Sequence, residues 1–542
     1  MSDPIQPLAE ASPMPEASPY LQRILRARVY DVAIESPLDL APNLSRRLDN
    51  RVLLKREDLQ PVFSFKLRGA YNKMAGLSRA ELDRGVIAAS AGNHAQGVAL
   101  GAQRLGCHAV IVMPVTTPEM KVRAVAARGA EVVLYGDSYD EACAEARRIE
   151  TDRGLTFIHP FDDPDVIAGQ GTIALEILRQ CSPPPDAIYV AVGGGGLIAG
   201  IAAYVKSLWP HVEVIGVEPV DADAMTRSLA AGQRLKLDQV GLFADGVAVR
   251  EVGEHTFALA QRHVDAMVTV DTDEICAAIK DVFEDTRSIL EPAGALAVAG
   301  MKKDVQVRGL SGRCLVAVAC GANMNFDRLL FVAERAELGE EREALLAVEI
   351  PEQPGSLRRF CGLLGPRSLT EFSYRLADPQ LAHIFVGVQI SGRADTQRLM
   401  ATLEGSGFPC LDLSGNELTK LHLCHMVGGR LPASAGAALA QGEELLYRFE
   451  FPERPGALMA FVNALHSNWN ISIFHYRNHG ADVGRIVIGV QVPPQDLGEW
   501  QRFLEGLPYR HWDETANPAY RLFLGPASQA RPSVDGLVTA DG

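Results

Sequence analysis

Between about Leu21 and Phe331, short runs rich in Val, Ile, Leu and Ala alternate with longer Ala-rich runs of helical period. Val86–Ala89, Ala109–Met113, Glu131–Leu134, Ala187–Val192, Val214–Val217 and Leu315–Ala319 are nearly free of polar residues, the pattern of strands buried on both faces. Ala95–Leu105, Ser138–Thr151, Gly169–Arg179 and Leu197–Leu208 read as the intervening helices. Such alternation predicts parallel sheets covered by helices, an α/β fold whose ligands sit beyond the carboxyl ends of the strands. The loop after each strand is therefore where chemistry belongs.

The pattern changes after a charged, helix-prone linker at Glu337–Arg342. Leu345–Leu357, which contains Pro354-Gly355, returns about a hundred residues later as Leu446–Leu458, which contains Pro455-Gly456. Glu371-Phe372-Ser373-Tyr374-Arg375 is echoed by Ile473-Phe474-His475-Tyr476-Arg477, and Val386–Ile390 by Ile488–Val492. Each copy reads strand, Pro-Gly turn, helix, strand, strand, which predicts two small α+β domains with helices on one face, at 343–416 and 443–525. A connector at 417–442 joins them. The Pro-, Ala- and Ser-rich start (1–20) and the end (526–542) read as disordered.

Composition narrows the class. A chain of 542 residues with 47% hydrophobic and 22% charged residues has room for two to four domains, each with a full core. The net charge of −15, with no basic block, excludes a nucleic-acid partner. No run of about 18 apolar residues spans a membrane, and the acidic N-terminus lacks the features of a secretory signal or transit peptide. Nine cysteines are dispersed without a C-x-x-C pair, which fits reduced thiols in the cytoplasm and neither a zinc site nor a disulfide framework.

Four strand- or helix-end loops carry candidate chemistry. Ser64-Phe65-Lys66-Leu67-Arg68-Gly69 places a lysine where a helix begins, beside two aromatic residues. The positive helix end and burial both lower a lysine's pKa, which makes its amine nucleophilic toward an aldehyde. Ser90-Ala91-Gly92-Asn93-His94-Ala95-Gln96-Gly97 exposes backbone N–H groups to an anion at a strand-to-helix junction. Gly193-Gly194-Gly195-Gly196-Leu197 suits close approach of a phosphate, without the spacing of a dinucleotide fingerprint or a P-loop lysine. Cys320-Gly321-Ala322-Asn323 puts a thiol at the end of a buried strand, where a heterocycle can lie against it. Upstream, Glu291-Pro292-Ala293-Gly294-Ala295 opens a helix with a carboxylate. Singly, each loop also has a purely structural explanation.

In this order, S-F-K-L-R-G, S-A-G-N-H-A-Q-G, G-G-G-G-L, E-P-A-G-A and C-G-A-N resemble the fold-type II pyridoxal-phosphate enzymes, and within them the biosynthetic threonine dehydratases, over about residues 20–525. The resemblance implies a catalytic domain at 21–335, with a smaller lobe at about 57–165, that turns L-threonine into 2-oxobutanoate and ammonia, the committed step toward isoleucine. It implies that Lys66 carries the cofactor and later moves the α-proton, that Phe65 packs near the ring, and that Asn93 bonds the ring's 3′ oxygen. Gly193, Gly194, Gly195, Gly196 and Leu197 would cradle the phosphate, and Ser90, Ala91, Gly92 and Asn93 would receive the substrate carboxylate. Cys320 would face the pyridine nitrogen, where relatives often carry serine. L-Serine is expected to react as well, one methyl being worth only about 1–3 kcal/mol in a pocket. The run Val217-Glu218-Pro219-Val220-Asp221-Ala222-Asp223-Ala224 lacks the final acid of the divalent-metal motif in related racemases and dehydratases, so no metal is expected.

The two C-terminal copies resemble ACT-like regulatory domains, which implies L-isoleucine as inhibitor and L-valine as its opponent. Candidate effector positions are Pro354, Gly355, Leu357 and Tyr374, with Pro455, Gly456, Leu458 and Tyr476 in the second copy. Relatives assemble as homotetramers. The competing readings are a serine dehydratase or racemase, a threonine synthase, and a non-catalytic amino-acid sensor. The tandem repeat and the intact glycine run speak against the other enzymes, and retention of Lys66, Asn93 and the four glycines against the sensor.

Overall fold

The computed structural model describes residues 19–351, 356–365, 367, 369–374, 381–423, 443–452, 469–477, 483–507 and 509–524. Contacts divide the chain into two units, one of residues up to 271 plus 281–324, the other of 272–280 plus 325–542. The expected disordered ends lie outside the described residues.

The first unit contains strands β1 (Leu38–Leu40), β2 (Arg51–Arg56), β3 (Val86–Ala89), β4 (Ala109–Met113), β5 (Glu131–Leu134), β6 (Thr156–Phe157), β7 (Ala187–Ala191), β8 (Glu213–Pro219), β9 (Ala266–Val270) and β10 (Cys314–Ala319). They form a six-stranded sheet in the order β1-β2-β10-β7-β8-β9 and a four-stranded sheet in the order β5-β4-β3-β6. Every pairing is parallel except β1 with β2. Strands β3, β4 and β7 are buried along their whole length, as their unbroken apolar runs require. All six expected strands are present, within two residues at each end.

Strands β1, β2, β6 and β9 escape the sequence pattern. Strand β2 ends in Lys55-Arg56, which reads as surface, yet both are buried. Lys55 meets Glu176 at 2.6 Å and Arg56 meets Asp58 at 2.8 Å, so the charges are compensated inside the protein. Strand β6 is only two residues long, too short to show a period.

The second unit holds two lobes. Strands β11 (Glu343–Pro351), β12 (Leu369–Tyr374), β13 (Leu381–Gln389) and β14 (Cys410–Asp412) form one sheet in the order β12-β13-β11-β14. Strands β15 (Glu443–Pro452), β16 (Asn470–Arg477), β17 (Val483–Val492) and β18 (Arg510–Asp513) repeat it as β16-β17-β15-β18. Each lobe carries more than the expected strand-helix-strand-strand, with the helices Arg393–Gly405 and Leu497–Gly506 followed by β14 and β18. These parts fall where the two copies no longer share obvious residue identity. The repeat extends to single bonds: Leu345 N–H donates to Ser414 Oγ and Leu446 N–H to Thr515 Oγ1, both at 3.0 Å.

One face of β11 (Ala344, Leu346, Val348, Ile350) packs with Phe360, Leu399 and Leu403 of the lobe's own helices. The other (Leu345, Ala347) joins Phe385, Leu446, Val487, Tyr520 and Leu522 in a core that both lobes share. The expected connector begins with a helix, Glu417–Leu421, that contributes Leu418 to this shared core and so is part of the folded unit. Arg335 bonds Asp273 at 2.6 Å and Glu417 at 2.5 Å, and so joins 272–280 to the lobes.

Candidate active site

The helix Lys66–Ala75 starts at Lys66, with Phe65 as its N-cap residue. The Lys66 ammonium donates to the Pro160 carbonyl at 3.1 Å and lies 5.3 Å from the centre of the Phe65 ring. Lys66 keeps partial exposure, yet the protein crowded around its nitrogen penalises the charge and brings its pKa down to about 8, with Cys320 and Glu291 pulling the other way.

Three chain segments converge on this lysine. Ser64 pairs as an antiparallel bridge with Gly321, Phe65 N–H donates to the Cys320 carbonyl at 3.3 Å, and Ala322 N–H donates to the Phe63 carbonyl at 2.8 Å. Phe63 is held at a φ of 54°, a conformation that side chains rarely adopt and that this bracing sustains. The end of β10 therefore lies against the loop that delivers Lys66. Asn93 opens the helix Asn93–Leu105 after β3, and its Nδ2 donates to Glu291 Oε1 at 2.5 Å. Asn323 Nδ2 donates both to Asn93 Oδ1 at 2.6 Å and to the Val62 carbonyl at 2.8 Å.

Cys320 is buried, and its thiol donates to the Ala293 carbonyl at 3.3 Å. Burial pushes the thiol far up, with Glu291 adding to the effect, so it stays neutral. Ser90, Ala91 and Gly92 form the loop before Asn93 and are partly exposed, and a side chain added at Gly92 would meet only open space. The loop therefore has room in front of it.

The glycine run lies between β7 and the helix Gly196–Leu208, with buried Leu197 in its first turn. Gly195 takes a φ of 93°, which favours glycine. A Cβ at Gly194 would lie inside the Phe161 ring, and one at Gly193 would come 2.9 Å from Val247 Cα. Thr256 Oγ1 donates to the Gly194 carbonyl at 2.6 Å. The loop is thus clamped from behind by Phe161, Val247 and Thr256 while it begins a helix, whose first amides attract an anion.

Two buried polar atoms near Lys66 have no partner: Ser64 Oγ and His94 Nδ1. His94 is pushed down to about 3 by burial, and its Nε2 donates to the Ile158 carbonyl at 2.8 Å, which leaves Nδ1 as a bare acceptor. A deprotonatable lysine, unpaired polar atoms near it and a glycine loop that opens a helix fit an aldehyde-bearing phosphate such as pyridoxal phosphate. Among the described residues no group of three or more His, Cys, Asp or Glu side chains is placed to hold a metal ion. Glu218 instead accepts from the amides of Met225 at 2.9 Å and Thr226 at 2.8 Å.

Sequence reading missed Pro160 and Phe161, which follow the unrecognised β6. It also missed the lobe-bridging pair of Lys121 and Asp245 at 2.7 Å, residues far apart along the chain. Among the effector candidates, Leu357 falls on the helix Ser356–Leu364, and Tyr374 and Tyr476 pair with Ile384 and Ile486 at equivalent places in the two sheets. Pro354, Gly355, Pro455, Gly456 and Leu458 lie outside the described residues.

Residues 29–321 match the pyridoxal-phosphate dependent enzyme family, and 334–423 and 435–524 each match the C-terminal regulatory domain of threonine dehydratase. The biosynthetic L-threonine dehydratase of Burkholderia multivorans is 60% identical over 508 residues, which cover 93% of this chain and 99% of that protein. The chain belongs to the biosynthetic threonine dehydratases. The mitochondrial threonine dehydratase of Saccharomyces cerevisiae is 50% identical, covering 93% of this chain and 89% of its own. The solved structure of processed threonine deaminase isoform 2 from Solanum lycopersicum superposes with a TM-score of 0.58 at 56% identity, covering 59% of this chain and 88% of that one. The chain is thus a pyridoxal-phosphate enzyme whose catalytic part is followed by two regulatory domains.

Proposed function

We propose that this chain deaminates L-threonine to 2-oxobutanoate and ammonia, and L-serine as well, under control of its C-terminal domains. The observation that carries the reading is Lys66, whose pKa is brought down to about 8 and whose amine bonds the carbonyl of Pro160, the neighbour of the Phe161 that backs Gly194 of the glycine loop. Pyridoxal phosphate supplies, when bound, an electron-withdrawing ring that acidifies the α-proton of an attached amino acid and lets its β-hydroxyl leave.

The protein's own residues do the rest. Lys66 Nζ would hold the cofactor through its aldehyde and would take the α-proton at the same atom. Amides of the glycine loop would hold the phosphate without a cationic side chain, and the Ser90–Asn93 loop would hold the substrate carboxylate. Phe65 shields the ring. The neutral Cys320 thiol would offer the ring nitrogen no charged partner, which would keep the ring a weaker electron sink and favour prompt elimination over transamination.

In this reading L-isoleucine binds the regulatory lobes and inhibits, and L-valine opposes it. The Pro-Gly turns and the paired positions Tyr374 and Tyr476 are the candidate contacts. Four copies assemble, and the enzyme works in the cytoplasm. The test is release of 2-oxo acid from L-threonine with and without L-isoleucine, beside Lys66→Ala. The expected result is turnover suppressed sigmoidally by isoleucine and lowered about a thousandfold or more by the substitution. Turnover indifferent to isoleucine would remove the effector, and no 2-oxo acid would remove the catalytic reading.

A further inference from the structure

We infer that Glu291 and Asn323 are positioning residues that lock the Asn93 amide in the one orientation that leaves an N–H free for the cofactor. The inference rests on the reading of Asn93 as the partner of the ring's 3′ oxygen. An asparagine amide is nearly symmetric in shape, so its two ends exchange by a simple flip unless their partners forbid it. Here they do. Asn93 Oδ1 meets the amide nitrogen of Asn323 at 2.6 Å, and Asn93 Nδ2 meets the Glu291 carboxylate at 2.5 Å. A flip would set donor against donor and carbonyl against carboxylate.

The two partners are themselves fixed. Asn323 cannot turn over, because its Nδ2 also serves the Val62 carbonyl at 2.8 Å, a group that only accepts. Glu291 is buried, and its backbone N–H is anchored on the Gly321 carbonyl at 3.1 Å. A Cβ at residue 321 would collide with the Glu291 carboxylate, so the glycine of the C-G-A-N motif is what admits it. Glu291 occupies the N-cap position of the helix Pro292–Arg308 yet makes no side-chain bond to that helix. Its carboxylate is turned away from the duty its position offers and toward Asn93.

The inventory then closes. Asn93 Nδ2 carries two hydrogens, and one is committed to Glu291. One remains, with its direction set by a chain of bonds from Val62 through Asn323 and Asn93 to Glu291. The chain links the loop before Lys66, the helix start after β3 and the helix start at Pro292, so the donor is registered to the lysine itself.

The test compares Asn93→Ala, Asn323→Ala, Glu291→Ala and Glu291→Gln, each alone and the last three again in the Asn93→Ala background. Pyridoxal phosphate is titrated into the apo form, and the pH midpoint of the visible band of the loaded protein is recorded. Asn323→Ala and Glu291→Ala are expected to weaken pyridoxal phosphate by about tenfold, the size of one hydrogen bond, and all three substitutions to move the midpoint. In the Asn93→Ala background these effects should vanish. Effects that persist undiminished there, or a midpoint unmoved by all three, overturn the inference. An Asn93→Ala protein identical to the parent in both readouts overturns the reading of Asn93, and the inference with it. Should Asn323→Ala or Glu291→Ala fail to fold, the isosteric Glu291→Gln decides: a midpoint shift that disappears with Asn93→Ala supports the inference, and no shift overturns it.

Discussion

Lys66 acts through the state of one nitrogen. Its pKa is brought from 10.5 down to about 8 by burial, so the amine becomes neutral across a range in which exposed lysines stay charged. Only the neutral amine attacks an aldehyde. The rate at which the apo protein takes up pyridoxal phosphate should therefore rise with pH and level off above about 8, where an unperturbed lysine would keep gaining up to 10.5. Stopped-flow absorbance across this interval measures it, and a rate still climbing tenfold per pH unit at pH 9.5 would refute the depressed value. The glycine loop makes a steric prediction. Gly194→Ala drives a methyl into Phe161, so cofactor affinity should fall by tenfold or more, and Phe161→Ala in the same chain should recover part of it. The lysine and the glycines were legible in the sequence because their types are unusual where they stand. Phe161, Pro160 and the bonding partners of Asn93 were not, since each lies in a different segment and no local pattern announces which segments meet.

Elements position these residues through buried charge. Arg68 lies two positions after Lys66 and is fully buried, with its guanidinium on Glu57 at 2.8 Å and Glu176 at 2.6 Å. Lys55 from β2 adds a second cation at 2.6 Å from Glu176, so two carboxylates face two cations. Burial pushes Arg68 downward, but Glu57 and Glu176 more than offset it and hold it protonated. Arg68→Met would strand one carboxylate, which should cost about 3–5 kcal/mol, read as a lowered urea midpoint. The pH dependence has a definite sign. Burial raises the Glu176 carboxyl, but Arg68 and Lys55 outweigh it, so its pKa is lowered from 4.5. Its contribution is therefore complete above pH 4.5 and is lost as the pH falls through the depressed value. Replacing Arg68 should accordingly destabilise strongly at pH 7 and less in acid, and an equal loss at both would contradict the pairing. This network explains why the strand pattern was legible for β3, β4, β7, β8 and β10 and silent for β2. Hydrophobic periodicity finds strands buried by apolar side chains, and β2 is buried partly by paired charge.

On the scale of the whole chain the regulatory unit poses its own packing problem. The repeat was visible in the sequence, but the way its copies join was not, although β11 carried a hint. Leu345 and Ala347 are as apolar as Ala344, Leu346 and Val348, and a strand apolar on both faces needs cover on both. The helices of the lobe cover one face and the second sheet covers the other, so neither copy completes its core alone. Two substitutions separate these faces. Phe360 belongs to the private core of the first lobe, whereas Phe385 belongs to the shared core and stacks edge-on with Phe523 at 5.9 Å. Either change to alanine should cost about 3–5 kcal/mol. Phe360→Ala should raise amide hydrogen exchange in β11–β14 and leave β15–β18 as they were. Phe385→Ala, although it too lies in the first lobe, should raise exchange in both sheets, because a cavity in the common core removes contacts from each. Isoleucine inhibition should then be blunted by Phe385→Ala while L-threonine turnover without effector persists. Exchange confined to the first lobe in both variants would mean that the lobes fold as independent modules, and that their shared core is a contact rather than a joint foundation.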